Sequence, residues 1–184
     1  KEVRDRISAS CAVTPLTALV ENGTTDAKAQ AAGCLALLAI ESESNQELTA
    51  TELMTIFESP TASEEACEYA CRVACDLACE GKGNFALQQA EAVPHLVKQV
   101  SQGTSIASDK SARALAEIAN VSPEVRSTVT HTLINARHNA TDPKVVVRIV
   151  KALDGMESEG GDQDDMSQQA VGLAILMFRI HTRD

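Results

Sequence analysis

Ala92-Val93-Pro94-His95-Leu96-Val97-Lys98-Gln99-Val100 repeats, eighty positions on, the pattern of Ala12-Val13-Thr14-Pro15-Leu16-Thr17-Ala18-Leu19-Val20, and a weaker copy, Leu53-Met54-Thr55-Ile56-Phe57, lies between them. Each copy is a shorter apolar helical run followed by a longer one rich in alanine. Self-similarity at a period of about forty residues is the mark of a solenoid, in which each repeat buries its apolar face only against its neighbours. Such a fold presents an extended surface, so the pattern predicts a binding or scaffolding protein that is not an enzyme.

Composition points the same way. The chain has 184 residues, 44% of them hydrophobic, with 2% aromatic residues and no Trp. The core is therefore built from Ala, Leu, Val, Ile and Cys, which suits closely packed helices, and no strand-like alternation persists. An all-α single domain over residues 1–184 follows. The longest apolar run, Ala170 to Phe178, is half of what a bilayer span requires. Lys1-Glu2-Val3-Arg4-Asp5-Arg6 is charged, with no apolar signal region behind it. Because the sequence begins and ends inside helical pattern, it is expected to be the ordered part of a longer chain or an assembly.

Turn and cap residues divide the chain into units at about 12–52, 53–91, 92–132 and 133–165, with a terminal helix at 167–182. In the first unit Asn22-Gly23 is expected to supply a positive φ, and Thr25 or Asp26 to cap a long helix reaching Ile40. The second long helix is expected to start at Ser63, whose hydroxyl precedes Glu64 and Glu65. The third is placed at Asp109 to Asn120, ahead of Pro123. The fourth follows Asp142-Pro143 and breaks at Gly160-Gly161.

Glu91-Ala92-Val93-Pro94-His95-Leu96-Val97 resembles the second helix of an armadillo repeat, whose pattern runs Gly, small residue, Ile or Val, Pro, any residue, Leu, Val. Ser111 to Asn120 resembles its third helix, as do Ala31 to Ala39, Ala70 to Ala78 and, more loosely, Val146 to Asp154. The resemblance covers nearly the whole chain and implies a right-handed α-α superhelix of about four repeats plus a terminal helix. HEAT repeats are the near neighbour, and the Pro of the second helix favours armadillo. In the family the third helices line a concave face, where import receptors of the importin alpha type place Trp and, four residues on, Asn. Here the Trp-like positions read Gly33, Arg72, Arg113 and Arg148, and the Asn-like positions Leu37, Asp76, Glu117 and Ala152, so an import receptor for basic peptides is not expected.

Three arginines remain in their place. Residues four apart share a helical face, so Arg72 is expected to meet Asp76, and Arg113 to meet Glu117. A row of guanidinium forks could follow an acidic or phosphorylated extended segment, as the basic groove of catenin-like armadillo proteins does; solvated intrahelical pairs are the plainer alternative. Charge is unevenly spread. Residues 1–91 carry 6 Lys+Arg against 15 Asp+Glu, residues 92–155 carry 8 against 5, and residues 156–184 carry 2 against 6. A net +3 with almost no aromatic residue is a poor nucleic-acid surface, and protein partners are expected instead.

Cys67, Cys71, Cys75 and Cys79 form a stripe along one helix. A metal- or redox-responsive protein is the alternative function, because thiolates at i and i+4 can share a soft ion. The stripe is too long for one ion, however, and Cys serves equally as a small hydrophobe. Its usage favours a reducing intracellular compartment, cytoplasm or an organelle interior. No metal, cofactor or catalytic residue is assigned: the four His lack recurrent spacing, and Asp162-Gln163-Asp164-Asp165 lacks the rest of a calcium loop. The terminal helix is apolar nearly all round, so Leu176 and Phe178 are expected to contact a partner, as in a subunit of a multi-subunit complex.

Overall fold

Hydroxyl side chains start three of the long helices of this chain, and before two of them a glycine ends the preceding helix. In the computed structural model, which describes residues 12–40, 42–80 and 82–159, there are nine helices and no strand among those residues. They are α1 (Val13–Asn22), α2 (Thr25–Ala39), α3 (Glu43–Glu58), α4 (Glu64–Ala78), α5 (Gly83–Gln89), α6 (Ala92–Gln102), α7 (Ser105–Ala119), α8 (Pro123–Asn139) and α9 (Pro143–Glu159). The expected terminal helix, with Leu176 and Phe178, and the Asp162–Asp165 run lie outside the described residues.

The caps explain where the long helices begin. Ser63 Oγ accepts from Ala66 N–H at 3.1 Å and Thr104 Oγ1 from Ala107 N–H at 3.1 Å. Thr24, one residue before the expected cap, accepts from Ala27 N–H. The third long helix thus begins a full turn earlier than Asp109, on a Gly103-Thr104 pair that repeats Gly23-Thr24. Gly23 does not supply a positive φ: its φ of −74° and ψ of 174° are extended. Glycine is needed there because a Cβ would lie 2.5 Å from Leu19 O, the carbonyl that accepts the Gly23 N–H.

The expected joints near residues 52 and 132 fall inside helices, α3 and α8. In α3 the residues facing the core include Asn45, Gln46 and Thr49, all buried, so its first half shows no apolar stripe. Those polar residues have a task. Asn45 Nδ2 donates to Leu38 O at 2.8 Å, and Gln46 Nε2 donates to both Ala39 O (3.1 Å) and Glu80 O (3.2 Å). Asn84 likewise donates to Glu117 O, and Arg126 to Met156 O and Asn120 Oδ1. At the end of each long helix a side chain from a neighbouring helix, the following one for α2 and an earlier one for α4, α7 and α9, satisfies a carbonyl that the helix itself leaves open.

The long helices stack in series, α2 on α4, α4 on α7 and α7 on α9, with the seam between α4 and α7 the most extensive. Their shared core is made of small and branched residues such as Ala70, Ala74, Leu77, Ala114, Leu115 and Ile118. Small residues at the crossings let the helix axes approach closely. The result is an all-α solenoid whose long helices form one continuous layer.

Candidate functional site

The buried positions of the long helices set their common register. Ser111, Ala114, Leu115 and Ile118 of α7 correspond to Ala70, Val73, Ala74 and Leu77 of α4, and all are buried. In α9 the matching set is Ile149, Ala152, Leu153 and Met156, also buried. This corrects the sequence reading of the fourth repeat by one helical turn. Lys151, exposed, stands where Arg113 stands in α7. Arg148 instead matches Lys110, and Ala152 is a core residue with 3% exposure. The ladder on the open side of the layer therefore reads Gly33, Arg72, Arg113, Lys151, followed one turn on by Leu37, Asp76, Glu117, Gly155. The spacing of Ile149, Leu153 and Met156 was the available signal for this register.

The four basic residues differ in what they already hold. Arg72 pairs with Glu68, one turn before it, at 2.8 Å, not with Asp76, and its guanidinium lies 5.1 Å from the centre of the Tyr69 ring. Glu68 also accepts from Thr104 Oγ1 at 2.8 Å, so this pair ties α4 to the cap of α7. Approach from the N-terminal side lets Glu68 serve both partners, which Asp76 cannot. Arg148 donates to Gly103 O at 2.9 Å and so satisfies the end of α6. Arg113 is exposed, with Cys79, Cys75 and, more weakly, Glu117 holding its guanidinium above its ordinary value. Of the three arginines expected to line a groove, Arg113 faces solvent and the other two are half-buried in fold contacts.

A depression of about 260 Å³ opens at this point of the ladder. Ala36, Leu37 and Ile40 from α2, Asp76, Cys79 and Glu80 at the end of α4, and Arg113 from α7 line it. Leu37 is 63% exposed, the largest exposure of any large hydrophobic residue among the described residues. The site thus spans three consecutive long helices and combines an apolar floor with carboxylates on one side and a guanidinium on the other. A second hollow, of about 410 Å³, lies between α6 and the α8–α9 turn beside Pro94, Val97, Lys98 and Val145.

The middle of the cysteine stripe belongs to the packing, while Cys79 at its end is exposed. Cys71 and Cys75 are buried in the α4–α7 seam, where Ser111 Oγ–H donates to Cys71 Sγ at 3.2 Å. Burial pushes the Cys71 thiol up to about 12 and the Cys75 thiol up to about 11, and raises that of Cys67. Protonated thiols are poor metal ligands and poor nucleophiles. Among the described residues no three His, Cys, Asp or Glu converge as a metal ion requires. The geometry therefore counts against the metal-responsive alternative. Nor is any described helix long and apolar enough to cross a membrane.

Solved structures share this arrangement of helices. Computationally designed armadillo repeat proteins for modular peptide recognition match it with a TM-score of 0.62 at 17% identity, over 95% of this chain and 75% of theirs. The fold is armadillo-type. A designed armadillo repeat protein in complex with the peptide (KR)4 matches over 96% of this chain and 86% of its own, with a TM-score of 0.56 and 16% identity. An armadillo-repeats-only protein from Plasmodium falciparum matches over 91% and 83%, at 0.58 and 13%. No protein-family model matches the sequence, and no curated protein is similar to it. In armadillo-type terms α2, α4, α7 and α9 are third helices, and the depression lies on the ladder they form.

Proposed function

We propose that this chain is a non-enzymatic protein-binding scaffold that holds an extended segment of a protein partner along the ladder of third helices. The observation that carries the reading is the depression around Leu37, Asp76, Glu80 and Arg113, which crosses three helices without a break. A large exposed leucine flanked by charged groups offers both apolar burial and orientation, the usual composition of a peptide subsite. The designed relatives built for modular peptide recognition, one of them in complex with (KR)4, support the same use of the fold.

An acidic or phosphorylated segment along all three arginines is the narrower form of this proposal. Its support is confined to Arg113 and Lys151, because Arg72 and Arg148 are engaged by Glu68 and Gly103. The test is selection of extended peptides from a library, followed by affinity measurements against Leu37→Asp/Arg113→Glu and against Glu47→Lys on α3. The selected peptides should lose roughly tenfold or more in affinity with the first variant, a range expected when a central apolar anchor is removed. They should be unaffected by the second. Equal binding to wild type and the first variant would remove the ladder as the binding surface.

A further inference from the structure

We infer that the depression on the ladder seats an aromatic side chain of the partner segment, a tryptophan or tyrosine whose ring face meets Arg113 and whose polar edge meets Asp76 and Glu80. This rests on the ladder being a binding surface, and adds which side chain anchors the segment there.

The walls of the depression carry both signs of charge at once. Arg113 of α7 bounds one side, Asp76 and Glu80 at the end of α4 bound the other, and Leu37 and Ile40 supply the apolar part. None of these three charged groups makes an ion pair among the described residues. Glu117, beside Arg113, lies outside the depression and accepts from Cys79 Sγ–H at 4.0 Å. A cationic side chain seated here meets Arg113, and an anionic one meets two carboxylates; either juxtaposition of like charges penalises binding. An aliphatic side chain covers Leu37 but uses none of the charged groups.

An aromatic ring suits both signs. Its face is negative and its edge positive, so the guanidinium is drawn to the face and the carboxylates to the edge. Trp N–H or Tyr O–H, at that edge, also donates a hydrogen bond to a carboxylate. The negative pole at the C-terminal end of α4 acts on the same side as the carboxylates. The sulfur of Cys79, which lines the depression too, is a favourable neighbour for a ring edge. At about 260 Å³ the depression is smaller than the roughly 300–1,000 Å³ pockets that enclose whole small ligands, so it takes a single large side chain.

The protein makes this contact once with its own residues. Arg72 places its guanidinium 5.1 Å from the centre of the Tyr69 ring. In α7 the place of Tyr69 is held by Lys110, so Arg113, the equivalent of Arg72, has no ring on its own helix. The ring for Arg113 therefore has to come from the partner. Gly33, one turn before Leu37 on α2, has no neighbour within 4 Å of where a Cβ would stand, which leaves the segment's backbone an open approach to Leu37.

The test uses the whole chain and the extended peptides selected on it, read by fluorescence anisotropy. The selected peptides should carry Trp or Tyr at one fixed position. Cyclohexylalanine in its place, similar in shape but without a π-system, should weaken binding roughly two- to fivefold, the scale of an exposed cation–π contact. Phe at that position should bind more tightly than pentafluorophenylalanine, whose ring has the reverse charge distribution, and Lys and Glu should both bind more weakly than Phe. With Arg113→Met, which keeps an apolar stem and removes the charge, the preference for Trp over cyclohexylalanine should disappear. The peptide substitutions leave the protein untouched and Arg113 is exposed, so loss of the fold cannot imitate these results. Selected peptides that lose affinity with Leu37→Asp/Arg113→Glu, yet accept cyclohexylalanine, Lys or Glu in place of each aromatic residue without loss, overturn this inference and leave the ladder reading standing. Failure to select any peptide, or equal binding to wild type and that double variant, overturns both.

Discussion

Helices α4 and α7 occupy equivalent places in successive repeats, have the same length of 15 residues, and pack against each other, yet their inner faces agree more closely than their outer ones. Inward, Ala66, Ala70, Ala74, Leu77 and Ala78 face Ala107, Ser111, Leu115, Ile118 and Ala119 at matching positions, all small or apolar apart from one serine and all buried. The middle of the cysteine stripe follows the same rule, buried Cys71 and Cys75 standing where α7 has Ala112 and Ala116, whereas exposed Cys79 stands where the α7 repeat has exposed Asn120. Outward the match is looser: Glu68, Arg72 and Asp76 of α4 correspond to Asp109, Arg113 and Glu117 of α7, but Glu64, Glu65, Tyr69 and, just past the helix end, Glu80 stand where the α7 repeat has Ser105, Ile106, Lys110 and Val121. Close packing holds the inner face to residues of one size range, whereas nothing in the fold restricts the outer one. What distinguishes one repeat from the next is therefore carried mostly on the outer face.

The largest effect that separates the two faces should come from one leucine on each. Leu115→Ala removes a fully buried side chain from the α4–α7 seam and should cost about 2–5 kcal/mol of stability, through lost burial and the cavity left. Leu37→Ala, on the open ladder, should change stability by less than about 0.5 kcal/mol. Urea unfolding of both variants measures the difference. Comparable losses would mean that Leu37 is packed in solution and that the ladder is not an open surface.

Alkaline pH should discriminate α4 from α7 next. The Cys71 thiol is raised from 9.0 to about 12, first by burial, with the Ser111 hydroxyl bond opposing. A folded value above the unfolded one means the stabilisation is whole below pH 9 and is lost as pH rises toward 12. For this one thiol the loss is about 1.4 kcal/mol per pH unit within that window. Cys71→Ala, which gives α4 the residue α7 has, should flatten the decline in urea midpoint between pH 9 and 10.5. A wild-type midpoint that does not fall over this range would show the thiol to be accessible.

What could be read from the sequence divides along the same faces. The inner faces of the long helices have an apolar period, and the resemblance of Ala31 to Ala39, Ala70 to Ala78 and Ser111 to Asn120 to the armadillo third helix brings them into mutual register. The Ser63 cap was legible because its hydroxyl and two carboxylates stand together. Helix α3 was only half visible, because Asn45, Gln46 and Thr49 are buried to serve carbonyls of other helices, a purpose that no local pattern announces. The fourth repeat slipped by a turn because Val145-Val146-Val147 blurs the apolar period at the start of α9. Among the site residues, Arg72 and Arg113 fall in one column as expected from the register of their helices, whereas Arg148 does not. The choice of Glu68 over Asp76 as the partner of Arg72 was not legible, since Thr104, which also donates to Glu68, comes from another helix, and the Gly103 carbonyl that Arg148 reaches is likewise brought near only by tertiary packing.

The link between α4 and α7 offers a smaller test. Glu91, between α5 and α6, has φ of 57°, the single positive-φ residue other than glycine among the described residues. The armadillo pattern has Gly at this place, which adopts that conformation freely. Glu91→Gly should raise stability by about 0.5–1 kcal/mol if the relief of strain exceeds the extra chain entropy of glycine when unfolded. Thermal unfolding would show a rise of a few degrees, and a fall would mean the turn relaxes in solution.

The smallest effect is also the sharpest form of the comparison, because it concerns the same residue type at the same place in the two helices. Arg72 is held by Glu68, and Glu68 is shared with Thr104, so Arg72→Ala should loosen the tie between α4 and the α7 cap and cost about 0.5–1 kcal/mol. Arg113 makes no ion pair among the described residues, and Arg113→Ala should shift stability by no more than a few tenths of a kcal/mol. Binding should invert the order. With peptides selected on wild type, Arg113→Ala should weaken affinity more than Arg72→Ala, although it disturbs the fold less. A residue that stabilises the fold has already committed its hydrogen bonds, and one that does not keeps them for a partner. If Arg72→Ala proves the more damaging to both stability and binding, then the seam and the ladder act as one unit, and the separation of faces drawn from α4 and α7 does not hold.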